Sequence, residues 1–170
     1  MPKILNNPKE NILNAVRQEL KDRGTDGFNI RDVAVISGVA VGTIYNYFGK
    51  KDGLIRAVAQ DDWAKQKALI EQSLSTEQSF GEKATAIFQG LKQYLDQDSP
   101  IVFVEELTTA RENYEALLSE ANSLVEKAAP AGAKEANLHA LAGAILFAAN
   151  QKEAVDSALI AHFAEAAIAE

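Results

Sequence analysis

The sequence predicts an all-α protein. Apolar residues recur every three or four positions through most of its length, and helix-capping residues stand in front of those stretches. The β-branched pairs, such as Ile101-Val102, fall inside capped segments, so no strand candidate remains.

Taken in order, Asn7-Pro8-Lys9-Glu10 combines a capping side chain, a proline at the first helical position and a glutamate three residues after the cap. Ile12, Leu13, Val16 and Leu20 follow at helical spacing and Gly24 supplies a left-handed stop, predicting a first helix over 8–23. Asn29-x-x-Asp32 opens a short second helix with Ile30, Val33 and Ala34 on its apolar side, closed by Ser37-Gly38. A third runs from Val41 to Phe48 and breaks at Gly49, and a long fourth runs from about Lys51 to Leu74. Ser79-Phe80-Gly81-Glu82 is another capping box, with Phe80, Ala84, Phe88, Leu91 and Leu95 behind it. Ser99-Pro100 predicts the next start, with a break expected near Glu112 to Glu115 and an end at Pro130-Ala131-Gly132. Helices over about 134–150 and 153–169 complete the chain.

Composition narrows the functions. With 47% apolar residues among 170, the chain has enough apolar surface to fold, and with no cysteine it has no disulfides, thiolate metal sites or cysteine nucleophile. The most apolar stretch, Leu138 to Ala149, is far shorter than the roughly 20 residues of a membrane helix, so no membrane span is expected. The polar N-terminal residues do not resemble a signal peptide, and a cytoplasmic location is expected. The net charge of −7 is uneven: residues 1–60 hold nine Lys/Arg and six Asp/Glu, leaving eight and eighteen in the remainder. A basic segment on an acidic body meets a polyanion end-on.

The most informative stretch is Phe28 to Leu54. Two short helices joined by Ser37-Gly38-Val39 read as a helix-turn-helix, whose second helix enters the major groove of a duplex. Thr43 can hydrogen-bond a base or touch a thymine methyl, and Gly42 allows close backbone approach. Tyr45, Asn46 and Tyr47 can donate to phosphates, with Lys50 and Lys51 flanking the end. Tyr45 and Tyr47 also fit as half-buried packing aromatics, and the lysines as solvated charge.

The residues Ile30-Arg31-Asp32-Val33-Ala34, then Gly38-Val39-Ala40-Val41-Gly42-Thr43-Ile44-Tyr45-Asn46-Tyr47-Phe48, then Lys51-Asp52-Gly53-Leu54 resemble the DNA-binding domain of the tetracycline-repressor (TetR/AcrR) family of bacterial regulators. The resemblance covers residues 9–58. It implies a three-helix DNA-binding domain over 1–50, followed by a larger helical ligand-binding and dimerisation domain over 51–170. It matches Arg31 to a base- or phosphate-contacting position, Gly42 and Thr43 to base-proximal positions, and Tyr45, Tyr47 and Lys51 to phosphate clamps. Val41, by the same match, faces the groove, where the family often has a polar or basic residue. Ala40 replaces the family's usual serine and loses its hydroxyl cap.

The resemblance also implies a double-stranded DNA operator, a homodimer through the last two helices and a small-molecule effector that the sequence does not identify. Residues 128–170 contain 17 alanines among 43, which suits close helix packing, and Leu138, Leu141, Ile145, Leu159 and Phe163 are the expected apolar contact. An alanine-rich pair closing a single core accounts for the same residues. Phe80, Phe88, Tyr94, Phe103, Tyr114 and Phe147 offer aromatic surface for a cavity or a core, with Arg111, Glu105 or His139 as polar anchors, so the ligand-binding residues stay unassigned.

No catalytic residue is expected. Gly42 and Gly49-Lys50 are spaced wrongly for a phosphate-binding loop, and a G-x-S-x-G elbow is missing. His139 and His162 read as lacking a carboxylate at metal-ligand spacing, so neither metal nor cofactor is expected. The function that follows is a dimeric transcriptional regulator, a repressor released from a palindromic operator by a ligand. The alternative is a helical interaction or small-ligand carrier protein that does not bind DNA.

Overall fold

In the computed structural model, residues 7–75, 78–96 and 107–169 are described, with the backbone alone for 107–111. The described residues form eight α-helices and no strand: α1 (Pro8–Gly27), α2 (Ile30–Ser37), α3 (Val41–Phe48), α4 (Lys51–Ser73), α5 (Phe80–Asp96), α6 (Leu107–Ala128), α7 (Glu135–Ala149) and α8 (Ser157–Ile168). No described helix is long and apolar enough to cross a membrane. The chain divides into two compact units, the first running to Asp62 and the second beginning at Trp63, so α4 spans the boundary.

In the first unit the caps form where the sequence places them. Asn7 and Glu10 bond reciprocally, Asn7 Nδ2 to Glu10 Oε2 at 2.7 Å and Glu10 N to Asn7 Oδ1 at 3.4 Å. Helical geometry breaks at Gly24 (φ 67°), and a further turn carries the chain to Gly27. Ile12, Leu13 and Val16 of α1 pack with Val33, Val39, Ile44, Leu54 and Val58 into one buried cluster. Arg17 ties α1 to α4 through Asp61 and through Asp62, 2.6–2.8 Å away. Burial works against the guanidinium charge, but the hydrogen bonds to Asp62 and Asp61 outweigh it and hold the pKa above its ordinary value.

In the second unit, α5 packs on α6, α7 and α8, and α7 also packs on α6 and α8. The Ser79–Glu82 capping box is complete, with Ser79 N donating to Glu82 Oε2 (2.7 Å) and Glu82 N to Ser79 Oγ (3.2 Å). Gly90 lets α5 approach α4 closely: a Cβ there would lie 2.2 Å from Ile70 Cγ1. Two boundaries in this unit differ from expectation. α6 passes through residues 112–115 without a break, since neither proline nor glycine interrupts Glu112-Asn113-Tyr114-Glu115. α8 starts at Ser157 instead of near 153, because Asp156 is the cap, accepting from Ala158 N at 2.9 Å. The start expected at Ser99-Pro100 lies outside the described residues.

Candidate nucleic-acid interface

The interface is built on the turn between α2 and α3. Gly38 takes the left-handed conformation (φ 69°) that closes α2, Ser37 Oγ accepts from Val39 N at 3.3 Å, and Val39 is buried as the anchor of the turn. Ile44 is then buried completely, fixing the rotation of α3 about its axis. With that side inward, Gly42, Thr43, Tyr45, Asn46 and Tyr47 are exposed and Val41 is half-buried. Tyr45 and Tyr47 are 46% and 52% exposed, so neither is a core aromatic.

Cations sort into internal and outward-facing groups. Arg23 pairs with Asp32 at 3.1 Å and with the buried Glu19 at 3.4 Å, and is thereby engaged within the domain. Asp32 does not close a reciprocal box with Asn29; Asn29 Oδ1 alone caps α2, accepting from Arg31 N at 3.0 Å. Arg31 and Lys50 are exposed, and among the described residues neither pairs with a carboxylate. Lys51 has a structural contact: its ammonium donates to the Thr25 carbonyl and stands 5.7 Å from the Phe28 ring centroid. An ammonium has three donors, so this bond leaves capacity for a second acceptor.

Two backbone features complete the surface, the first of them legible in the sequence. The N-cap Ala40 makes no side-chain cap bond, which leaves the first amides of α3 without one, next to a Gly42 with nothing within 4 Å of a hypothetical Cβ. Such an end attracts a phosphate oxygen. At the other end of the motif a Cβ on Gly53 would lie 1.9 Å from the Phe48 carbonyl oxygen, so the glycine sets how closely α4 follows α3.

Residues 12–58 match the family model for bacterial regulatory proteins of the tetR family. This N-terminal unit is a tetR-family DNA-binding domain. The chain is 38% identical over 61 residues to the uncharacterized HTH-type transcriptional regulator YvdT of Bacillus subtilis, covering 36% of this chain and 31% of that protein. It is 27% identical over 67 residues to the HTH-type transcriptional repressor AcnR of Corynebacterium glutamicum, covering 39% and 36%. These matches thus span about a third of each curated relative. The fold likeness extends further: the solved structure of the multidrug binding protein EbrR, complexed with imidazole, aligns over 96% of both chains with a TM-score of 0.65 at 16% identity.

Beyond the tetR-type domain the structure redistributes the expected residues. Leu138, Leu141 and Ile145 are buried within the chain's own second unit, so they are not available as an intersubunit contact. Leu159 and Phe163 are exposed, as is Phe147 at 65%, which the sequence had offered to a cavity. Phe80, Phe88 and Tyr94 are buried, while Tyr114 is exposed; Phe103, Glu105 and the Arg111 side chain lie outside the described residues. Trp63 packs edge-on against Tyr94 at 5.1 Å. Its Nε1, like Asn122 Oδ1, is buried without a hydrogen-bond partner among the described residues, a signal that only burial reveals.

His139 is exposed and is not a cavity anchor: its Nε2 lies 2.8 Å from Glu126 Oε1 and 3.9 Å from Glu135 Oε1. The expectation that it lacks a carboxylate at ligand spacing is corrected. Glu135 stands four residues earlier on the same helix, and the α6–α7 turn adds Glu126.

Proposed function

We propose that the chain is a dimeric transcriptional repressor that binds a palindromic DNA operator and is released by a small molecule. Residues 1–50 read DNA, and residues 51–170 hold the effector and the dimer contact. The observation that carries this reading is the face of α3: Ile44 points into the core, while Thr43, Tyr45, Asn46 and Tyr47 point outward from a tetR-type domain. Thr43, Gly42 and Val41 meet base edges, Arg31 meets a base or phosphate, and Tyr45, Asn46, Tyr47, Lys50 and Lys51 hold phosphates.

Phe147, Leu159 and Phe163 support the homodimer, because three exposed large apolar side chains on the last two helices are costly in water unless covered. The unpartnered Trp63 Nε1 and Asn122 Oδ1 support the effector. A buried polar atom without a partner among the described residues costs about 1 to 3 kcal/mol, which a ligand group reaching either atom offsets. Repression follows AcnR's description, and binding of small molecules follows EbrR's. Release works through α4, which begins beside the recognition helix and continues past Trp63. A location in the cytoplasm, with the DNA, accompanies this function.

The test is the salt dependence of duplex binding by the full chain. Each phosphate neutralised contributes about −0.9 to the slope of log affinity against log salt, so a steep negative slope is expected. A carrier or interaction protein shows no duplex binding at low salt, and that result would overturn the reading.

A further inference from the structure

Outside the DNA-binding surface, Glu126, Glu135 and His139 offer three ligand atoms that all lie within 4.8 Å of one another. We infer that these residues form a binding site for a divalent transition metal of the zinc class, joining the end of α6 to the start of α7.

The argument is geometric and electrostatic. Tetrahedral zinc with bonds of about 2.0–2.2 Å places its ligand atoms roughly 3.3–3.5 Å apart. The two distances from His139 Nε2, 2.8 Å to Glu126 and 3.9 Å to Glu135, bracket that spacing. All three side chains are exposed, Glu135 at 82%, so rotations of half an ångström or so seat the ion without disturbing the core. Two carboxylates converge here with one imidazole in a part of the chain that is already strongly acidic. A divalent cation replaces their mutual repulsion with attraction. Imidazole with carboxylate suits zinc and its neighbours, whereas calcium and magnesium prefer oxygen ligands alone. Water completes the coordination.

Helix geometry explains why the triad forms. Glu135 and His139 are four residues apart, on one side of α7. Glu126 lies in the last turn of α6, and the turn over residues 129–134 returns the chain beside it. A bound ion therefore staples that turn.

Zinc(II) titrated into the full-length, untagged chain and followed by calorimetry tests the inference, because the chain has only two histidines and no cysteine. Wild type is expected to bind one ion per chain, with a melting temperature that rises with zinc. His139→Gln keeps a polar side chain opposite Glu126 but removes the imidazole, and it should weaken binding at least about ten-fold. Glu126→Gln should do likewise, while His162→Gln should bind as wild type does. Circular dichroism without zinc checks that each variant is folded, and the exposure of both side chains leads us to expect that they are. Absence of binding by wild type, or equal binding by His139→Gln, would overturn the inference and leave His139 and Glu126 as a hydrogen-bonded pair only. Loss of binding in His162→Gln alone would place the ion elsewhere.

Discussion

Gly42→Ala separates what the fold requires of α3 from what DNA requires. Nothing lies within 4 Å of a Cβ at this position, and the backbone is helical, so the protein itself has room for the methyl group. Alanine is favoured over glycine in a helix by about 0.5 to 1 kcal/mol, and a site in the first turn belongs at the low end of that range. For a chain of this size that corresponds to a rise in Tm of about 1 to 2 °C. Against a duplex the sign reverses. If the Gly42 backbone closely approaches a base pair, an added methyl overfills the contact at a cost of about 1 to 3 kcal/mol per half-site, or roughly five- to 150-fold in affinity. Calorimetric melting of the free protein and fluorescence anisotropy on a duplex selected by the wild-type chain read the two quantities separately. A higher Tm with unchanged DNA affinity would show that the Gly42 face does not meet DNA. A lower Tm would contradict the open surroundings of α3.

Val41→Lys should leave the fold intact, because Val41 is only half-buried, and should steepen the salt slope by about 0.9 per subunit, roughly 2 per dimer. The ratio of operator to random-duplex affinity should fall; a collapsed melt, or an unchanged slope, would mean that the register of α3 is wrong. Leu159→Glu with Phe163→Glu should yield a folded monomer by sedimentation, whereas Leu141→Glu should unfold the chain because Leu141 is buried in its own core. A folded monomer from Leu141→Glu would reverse that assignment. Lys67 donates to Glu120 at 2.6 Å, and this bond holds its pKa above the ordinary lysine value. The group's contribution to stability is therefore complete below the unfolded lysine pKa and disappears as pH rises through the higher folded one. Lys67→Met should flatten the melting profile in that alkaline window, and an unaltered profile would show that the pair contributes nothing there.

The local elements were largely legible in the sequence because their signals are local. Asn7 with Glu10, Ser79 with Glu82, and Ser37-Gly38-Val39 mark caps and a turn through residues two or three apart, and those bonds form. Asp32 was misread as half of a capping box because its partner, Arg23, comes from another helix. The surface was less legible for the same reason. Helical spacing puts Leu141 and Leu159 equally on apolar stripes, and only the packing of α5 against α7 and α8 buries the first and exposes the second. Lys51 looks like any flanking cation until the turn after Gly24 brings the Thr25 carbonyl to it. His139 acquires Glu126 from across a helix–helix turn, a proximity that linear spacing does not carry.

The central claim is that two copies of this chain read one duplex with two α3 helices. Selection of duplexes from a random pool by the full-length protein, followed by sequencing, tests it most directly. The account predicts enrichment of a palindrome whose half-sites lie about one helical turn apart, or a multiple of it, with Thr43→Ala changing the preferred bases and Lys50→Ala weakening all sequences alike. A selected pool no different from the starting one, or a single half-site bound by a monomer, would contradict it.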